Sequence, residues 1–124
     1  MAENLSRDQI LIRKLTEIIL ANLENENFGV KELANESGMS QYRLNRRLHS
    51  ISNKTIKQFI SETRLRKALE MLQNEELTAA EVSYRVGFSS PAYFTKCFHE
   101  FFGYPPGKVK NTENNFITET TPVL

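Results

Sequence analysis

The chain repeats itself, and the repeat limits what it can fold into. An offset of 49 residues sets Phe28 on Leu77, Leu33 on Val82, Gly38 on Gly87, Met39 on Phe88 and Ser40 on Ser89. One residue is then inserted, and an offset of 50 sets Leu44 on Phe94, Leu48 on Phe98 and Ile51 on Phe101. Each copy reads as a short helix, a glycine turn and a second helix, the layout of a helix-turn-helix.

The rest of the pattern is helical as well. Ile12, Leu15, Ile19 and Leu23 recur at spacings of three and four, which predicts an amphipathic helix over residues 8–23. "VKELANES" (Val30 to Ser37) reads as a short helix stopped by Gly38, and Ser40 caps the next helix, through about Ile51. From Lys54 to about Asn74 a longer helix carries the stripe Ile56, Phe59, Ile60, Leu65, Ala68, Leu69 and Leu72. Thr78-Ala79-Ala80-Glu81 is a capping box opening a helix that ends at Gly87. Ser89 or Ser90 caps the following helix, with Pro91 in its first turn, and Pro105 can start a last short one. No segment alternates apolar and polar residues long enough for a strand. The expected fold is all-α, with about seven helices forming two helix-turn-helix subdomains joined by a long central helix. The expected boundaries are an N-terminal extension over 1–9 and one domain over 10–110. Within it, the first unit spans about 30–51, the linker helix about 54–74 and the second unit about 78–102. A polar tail over 111–124 is expected to fray.

Composition narrows the function. The 124 residues suit one domain with a modest core, and the apolar runs are too short to cross a membrane. The N-terminus "MAENLSRDQI" lacks the apolar centre of a signal peptide, and the single Cys97 leaves neither an internal disulfide nor a cysteine cluster for zinc. A cytoplasmic location is expected. No nucleophile–base pair, phosphate loop or useful pair of carboxylates stands out, so neither an enzyme nor a cofactor is expected. His49 and His99 take equivalent outer positions with no acid or cysteine pattern beside them, and no metal site is expected. The net charge of +1 is unevenly spread: residues 30–110 hold 13 Lys and Arg against 8 Asp and Glu, while both ends are acidic. A basic centre fits a nucleic-acid partner, because attraction to phosphate supplies much of such binding.

The outward faces of the two second helices differ. In the first, Leu44, Leu48 and Ile51 must face the core, which leaves Tyr42, Asn45, Arg46 and His49 outward. Gln41 stands at the N-terminal edge, with Arg43 and Arg47 on one flank. Arg can bind guanine through two hydrogen bonds, Asn and Gln can bind adenine, and Tyr or Ala can touch a thymine methyl. In the second, Phe94, Phe98 and Phe101 face inward and Ala92, Thr95, Lys96 and His99 outward, a thinner set with one cation. That face suits shape-based readout. Tyr93 and Phe102 are expected in or near the core with the other aromatics, Cys97 as a small hydrophobe beside the stripe, and Arg64 as a brace for its neighbours.

"LANESGMSQYRLNRRL", "RLRKALEML" and "EVSYRVGFSSPAYFTKCFHEFFGYPPGKVK" together resemble the AraC/XylS family of bacterial transcription regulators, over about residues 10–110. The resemblance implies double-stranded promoter DNA and RNA polymerase as partners, with two helices inserted into successive major grooves. The linker helix, roughly 30 Å long at 1.5 Å per residue, is of the size to span such grooves. The resemblance carries base contacts onto Gln41, Tyr42, Asn45 and Arg46 in the first unit and onto Pro91, Ala92, Thr95 and Lys96 in the second. With the caps and one flanking cation, the candidate DNA-binding set is Ser40, Gln41, Tyr42, Arg43, Asn45 and Arg46, then Ser90, Pro91, Ala92, Thr95 and Lys96. Four positions depart from the family pattern: Asn53 stands where glycine is usual, Ile56 where proline is usual, and Pro91-Ala92 where a polar pair is common. "LTEIILANLENENFGVKELANESGMS" also resembles output domains at the end of membrane-bound hybrid two-component sensors. That implies a longer parent chain with a sensor or dimerisation domain, which can be membrane-anchored. Because one chain already holds two readers, the isolated domain is expected to be a monomer. The alternative reading is a helical protein-interaction module that keeps this fold with little DNA affinity.

Overall fold

A computed structural model describes residues 6–109, and among them no strand occurs. Six α-helices follow one another: α1 (Arg7–Ala21), α2 (Val30–Ser37), α3 (Gln41–Ser52), α4 (Ile56–Asn74), α5 (Ala79–Arg85) and α6 (Pro91–Phe102). A 3-10 turn, Pro106–Lys108, comes last. The all-α fold is as the sequence predicts, with the seventh helix reduced to that turn. The tail over 111–124 lies outside the described residues.

The chain divides into two compact units between Arg64 and Leu65, so α4 contributes to both. In the first unit the core gathers Leu15 and Ile19 of α1, Phe28, Leu33 of α2, Leu44 and Leu48 of α3, and Ile56, Phe59 and Ile60 of α4. Complete burial of one such side chain stabilises the fold by about 1.5–3 kcal/mol. Ile56 is only 3% exposed at the first position of α4, so the residue standing in place of the usual proline is a core residue. In the second unit Leu65, Ala68, Leu72, Val82, Val86, Phe88, Phe94 and Phe98 are buried. Its aromatic rings run in a chain, from Phe88 to Phe94 at 5.3 Å, Phe94 to Phe98 at 5.6 Å and Phe98 to Phe102 at 4.6 Å.

Local chemistry explains where the helices start. Ser6 and Gln9 form a reciprocal capping box on α1, and Thr78 and Glu81 form one on α5. Thr55 and Gln58 form another on α4, which the sequence pattern did not single out. The Glu81 carboxylate accepts the Thr78 N–H at 2.8 Å, a bond to the charged form that holds its pKa below the ordinary glutamate value. The Gly29 N–H does the same for Glu32, at 2.9 Å.

Two expected helix ends need correction. The first helix ends at Ala21, short of Leu23, because the Asn22 side chain donates to Ile18 O at 2.8 Å while its own N–H turns back to Ile19 O. The fifth ends at Arg85, with Val86 as its cap, and Gly87 lies beyond it at φ 91°.

Candidate nucleic-acid interface

In both units the second helix is set by the same devices. Gly38 (φ 79°) and Gly87 (φ 91°) take the left-handed conformation after α2 and α5. Gly38 N–H bonds Asn35 O and Met39 N–H bonds Ala34 O, while Gly87 N–H bonds Tyr84 O and Phe88 N–H bonds Ser83 O. These paired bonds are a Schellman motif, whose following residue, Met39 or Phe88, turns inward against the core. Ser40 and Ser90 then cap α3 and α6, each Oγ accepting the N–H three residues on at 3.1 Å. Of the two serines considered for the second cap, Ser90 is the one. At the far ends Asn53 (φ 58°) and Gly103 (φ 89°) both turn left-handed, and their N–H groups donate to His49 O and His99 O at 2.8 Å.

The caps and stripes fix which residues face out. On α3 Leu44 and Leu48 are fully buried, and Gln41, Tyr42, Arg43, Asn45 and Arg46 are exposed, as is Ser40. Tyr42 is 71% exposed, and the Arg46 guanidinium lies over its ring at 5.7 Å from the centroid, a cation–π contact one helical turn apart. Arg47 is drawn off this face: its Nη2 meets Asp8 Oδ1 of α1 at 3.1 Å. On α6 Phe94 and Phe98 are fully buried, and Ala92, Thr95, Lys96 and His99 are exposed, with Ser90 and Pro91 half-buried at the start. All eleven candidate residues therefore sit on or at the opening of these two helices.

One aromatic is misjudged by the sequence pattern. Tyr93 is 50% exposed, not near-core. It lies 100° round the helix from Phe94, so the turn that buries Phe94 carries Tyr93 toward solvent. Its ring still meets Phe88 at 6.0 Å, and a hydrogen bond with Cys97 one turn on raises its hydroxyl pKa. Cys97 is half-buried beside the stripe, as predicted. Arg64 is the expected brace: its guanidinium donates to Phe28 O at 2.9 Å and Asn25 O at 3.0 Å, and burial lowers its pKa without costing it its charge at neutral pH.

Beside α3 the first unit has an open cleft of about 360 Å³, lined by Val30, Gln41, Tyr42, Asn45, Thr55, Ile56 and Lys57. Thr55 and Lys57 were missed in the sequence. The signal for them was the Thr55–Gln58 capping box, which starts α4 at Ile56 and puts Lys57 in its first turn. Among the described residues no group of three His, Cys, Asp or Glu could hold a metal, and no helix is long and apolar enough to cross a membrane.

Two helix–glycine turn–helix units with polar faces on their second helices define a helix-turn-helix DNA-binding domain, and the comparisons with known proteins narrow the class. A family model described as a helix-turn-helix domain matches residues 33–112. A probable transcription factor, PqrA of Proteus vulgaris, is 32% identical over 97% of this chain and 93% of its own length. The histidine kinase P4 of Formosa agariphila is 36% identical over 86% of this chain, which spans only 8% of that kinase. The solved DNA-binding domain of AdpA, a global transcriptional factor held in complex with a target DNA, superposes with a TM-score of 0.68 at 26% identity, covering 77% of this chain and 86% of that one. The chain belongs to the AraC/XylS family of bacterial helix-turn-helix transcription regulators.

Proposed function

We propose that the chain is a sequence-specific reader of promoter DNA, inserting α3 and α6 into successive major grooves. The observation that carries this is the outward face of α3. Gln41, Asn45 and Arg46 are exposed hydrogen-bonding groups of the kinds that can read base edges, on a helix anchored from behind by the buried Leu44 and Leu48. Arg43, exposed on the flank and with no ion-pair partner among the described residues, is our candidate for a phosphate contact. Ser90, Pro91, Ala92, Thr95 and Lys96 make the second contact, in which Lys96 is the strong donor. The occurrence of a DNA complex of the AdpA domain supports the same partner here.

The parent activity follows from this reading. The chain serves as the output part of a regulator that works with RNA polymerase, in the cytoplasm and without catalysis of its own. Its likeness to a small part of a histidine kinase supports a longer parent with a sensor or dimerisation domain. The separate domain, holding two readers, acts as a monomer on an asymmetric site. A gel-shift titration over a range of salt tests the DNA reading: a steep fall of log K with log salt is expected. Absence of binding at low salt would instead leave the fold as a protein-interaction module.

A further inference from the structure

The cleft beside α3 holds a cation that the DNA-reading face does not include. Gln41, Tyr42 and Asn45, three of the residues on that face, line it together with Thr55, Ile56 and Lys57 from the start of α4. Val30 and the buried Ile56 give it an apolar floor, so the cleft's positive charge comes from Lys57 alone among its lining residues. Lys57 is exposed and has no ion-pair partner among the described residues. The nearby Lys54, by contrast, is tied to Glu62. At the start of α4 two backbone N–H groups are already bonded, Thr55 N–H to the Gln58 side chain and Gln58 N–H to Thr55 Oγ1. The charge that the cleft offers a ligand is therefore the Lys57 ammonium, on the helix that follows α3.

We infer that Lys57 is a further DNA-binding residue, which contacts a backbone phosphate flanking the groove occupied by α3. The inference rests on the DNA-reading role of α3. When α3 lies against base edges, the duplex covers the cleft that Gln41 and Asn45 share with Lys57, and the strand that borders the groove passes within reach of the lysine. There a compact, mobile ammonium neutralises one phosphate without reading sequence. The contact would fix how deeply and at what angle the first unit seats, a role different from the base discrimination assigned to Arg46.

The test compares the full chain with Lys57→Ala and Lys57→Arg, by fluorescence anisotropy on a duplex chosen by the wild-type chain and on a scrambled duplex. One lost phosphate contact lowers the slope of log K against log salt by about 0.9, so the wild-type advantage over Lys57→Ala should shrink by about 3.5-fold between roughly 50 and 200 mM salt. The loss should be equal on both duplexes, and Lys57→Arg should restore the slope. A slope unchanged in Lys57→Ala, or a loss confined to the chosen duplex, overturns the assignment. The two readings separate cleanly: salt-dependent binding by wild type with an unchanged variant removes only Lys57, whereas a wild type that binds neither duplex removes the DNA-reading role itself.

Discussion

The two helix-turn-helix units share a scaffold and differ in what they present. From Gln41 to Ser50 and from Pro91 to Glu100 the burial pattern is the same at every position but the first. The Schellman turns, the serine caps and the left-handed ends correspond pair by pair. What changes is chemistry on the two surfaces. The first unit fills its inward stripe with leucines and its outward face with Gln41, Asn45 and Arg46. The second fills the stripe with Phe94 and Phe98 and shows Ala92, Thr95 and Lys96. Geometry alone thus makes both helices candidates for a groove, and only the outward side chains set them apart as readers.

The inward difference predicts the largest effects. Leu48 and Phe98 are equivalent and fully buried. Leu48→Ala should cost about 2–5 kcal/mol and Phe98→Ala about 3–5 kcal/mol, since truncation of a large buried ring loses more area and contacts. Urea unfolding measures both. An equal and small loss at Phe98 would show that the ring chain from Phe88 to Phe102 collapses to fill the gap, breaking the contrast between the cores.

The outward difference comes next. Arg46→Ala should weaken operator binding by about 1–3 kcal/mol and relax preference at one base pair. Lys96→Ala should lower affinity by a similar factor on every sequence, with little change in preference. Competition titrations against single-base variants distinguish the two. Uniform loss for Arg46→Ala would demote it to a phosphate contact and make the two faces alike.

A smaller effect probes the helix ends. Asn53 and Gly103 occupy the same left-handed position, where asparagine is tolerated and glycine free of strain. Asn53→Gly should raise stability by up to about 1 kcal/mol and Gly103→Asn should lower it by a similar amount. Thermal melts of the two variants shifting in the same direction would show that the ends are not equivalent.

The two ends of this comparison were unequally legible in the sequence. Caps, glycine stops and stripes are set by residues within a turn or two, so the repeat alone placed α2, α3, α5 and α6 and picked out both outward faces. Contacts between residues far apart left no such trace. Nothing local tells that Arg47 pairs with Asp8, 39 positions earlier, while Arg43 has no ion-pair partner among the described residues. The Arg66 guanidinium over the Phe101 ring, at 5.1 Å, was equally hidden. Aromatic character alone does not bury a residue: Tyr93 stands 100° round the helix from the buried Phe94 and is half exposed. The cleft that brings Lys57 together with Gln41 and Asn45 needs the packing of the start of α4 beside α3 within the first unit, which no single stretch encodes.

The central claim is that one scaffold carries a strong reader and a weak one. Selection of bound duplexes from a random DNA pool, followed by sequencing, tests it directly. The account predicts a bipartite site, with sharp base preference over the segment read by α3 and shallow preference about one turn, or roughly ten base pairs, away. Lys96→Ala should leave that pattern in place, and Asn45→Ala should redraw its sharp half. Two equally sharp motifs from the wild-type chain would contradict the claim and make α6 a full reader.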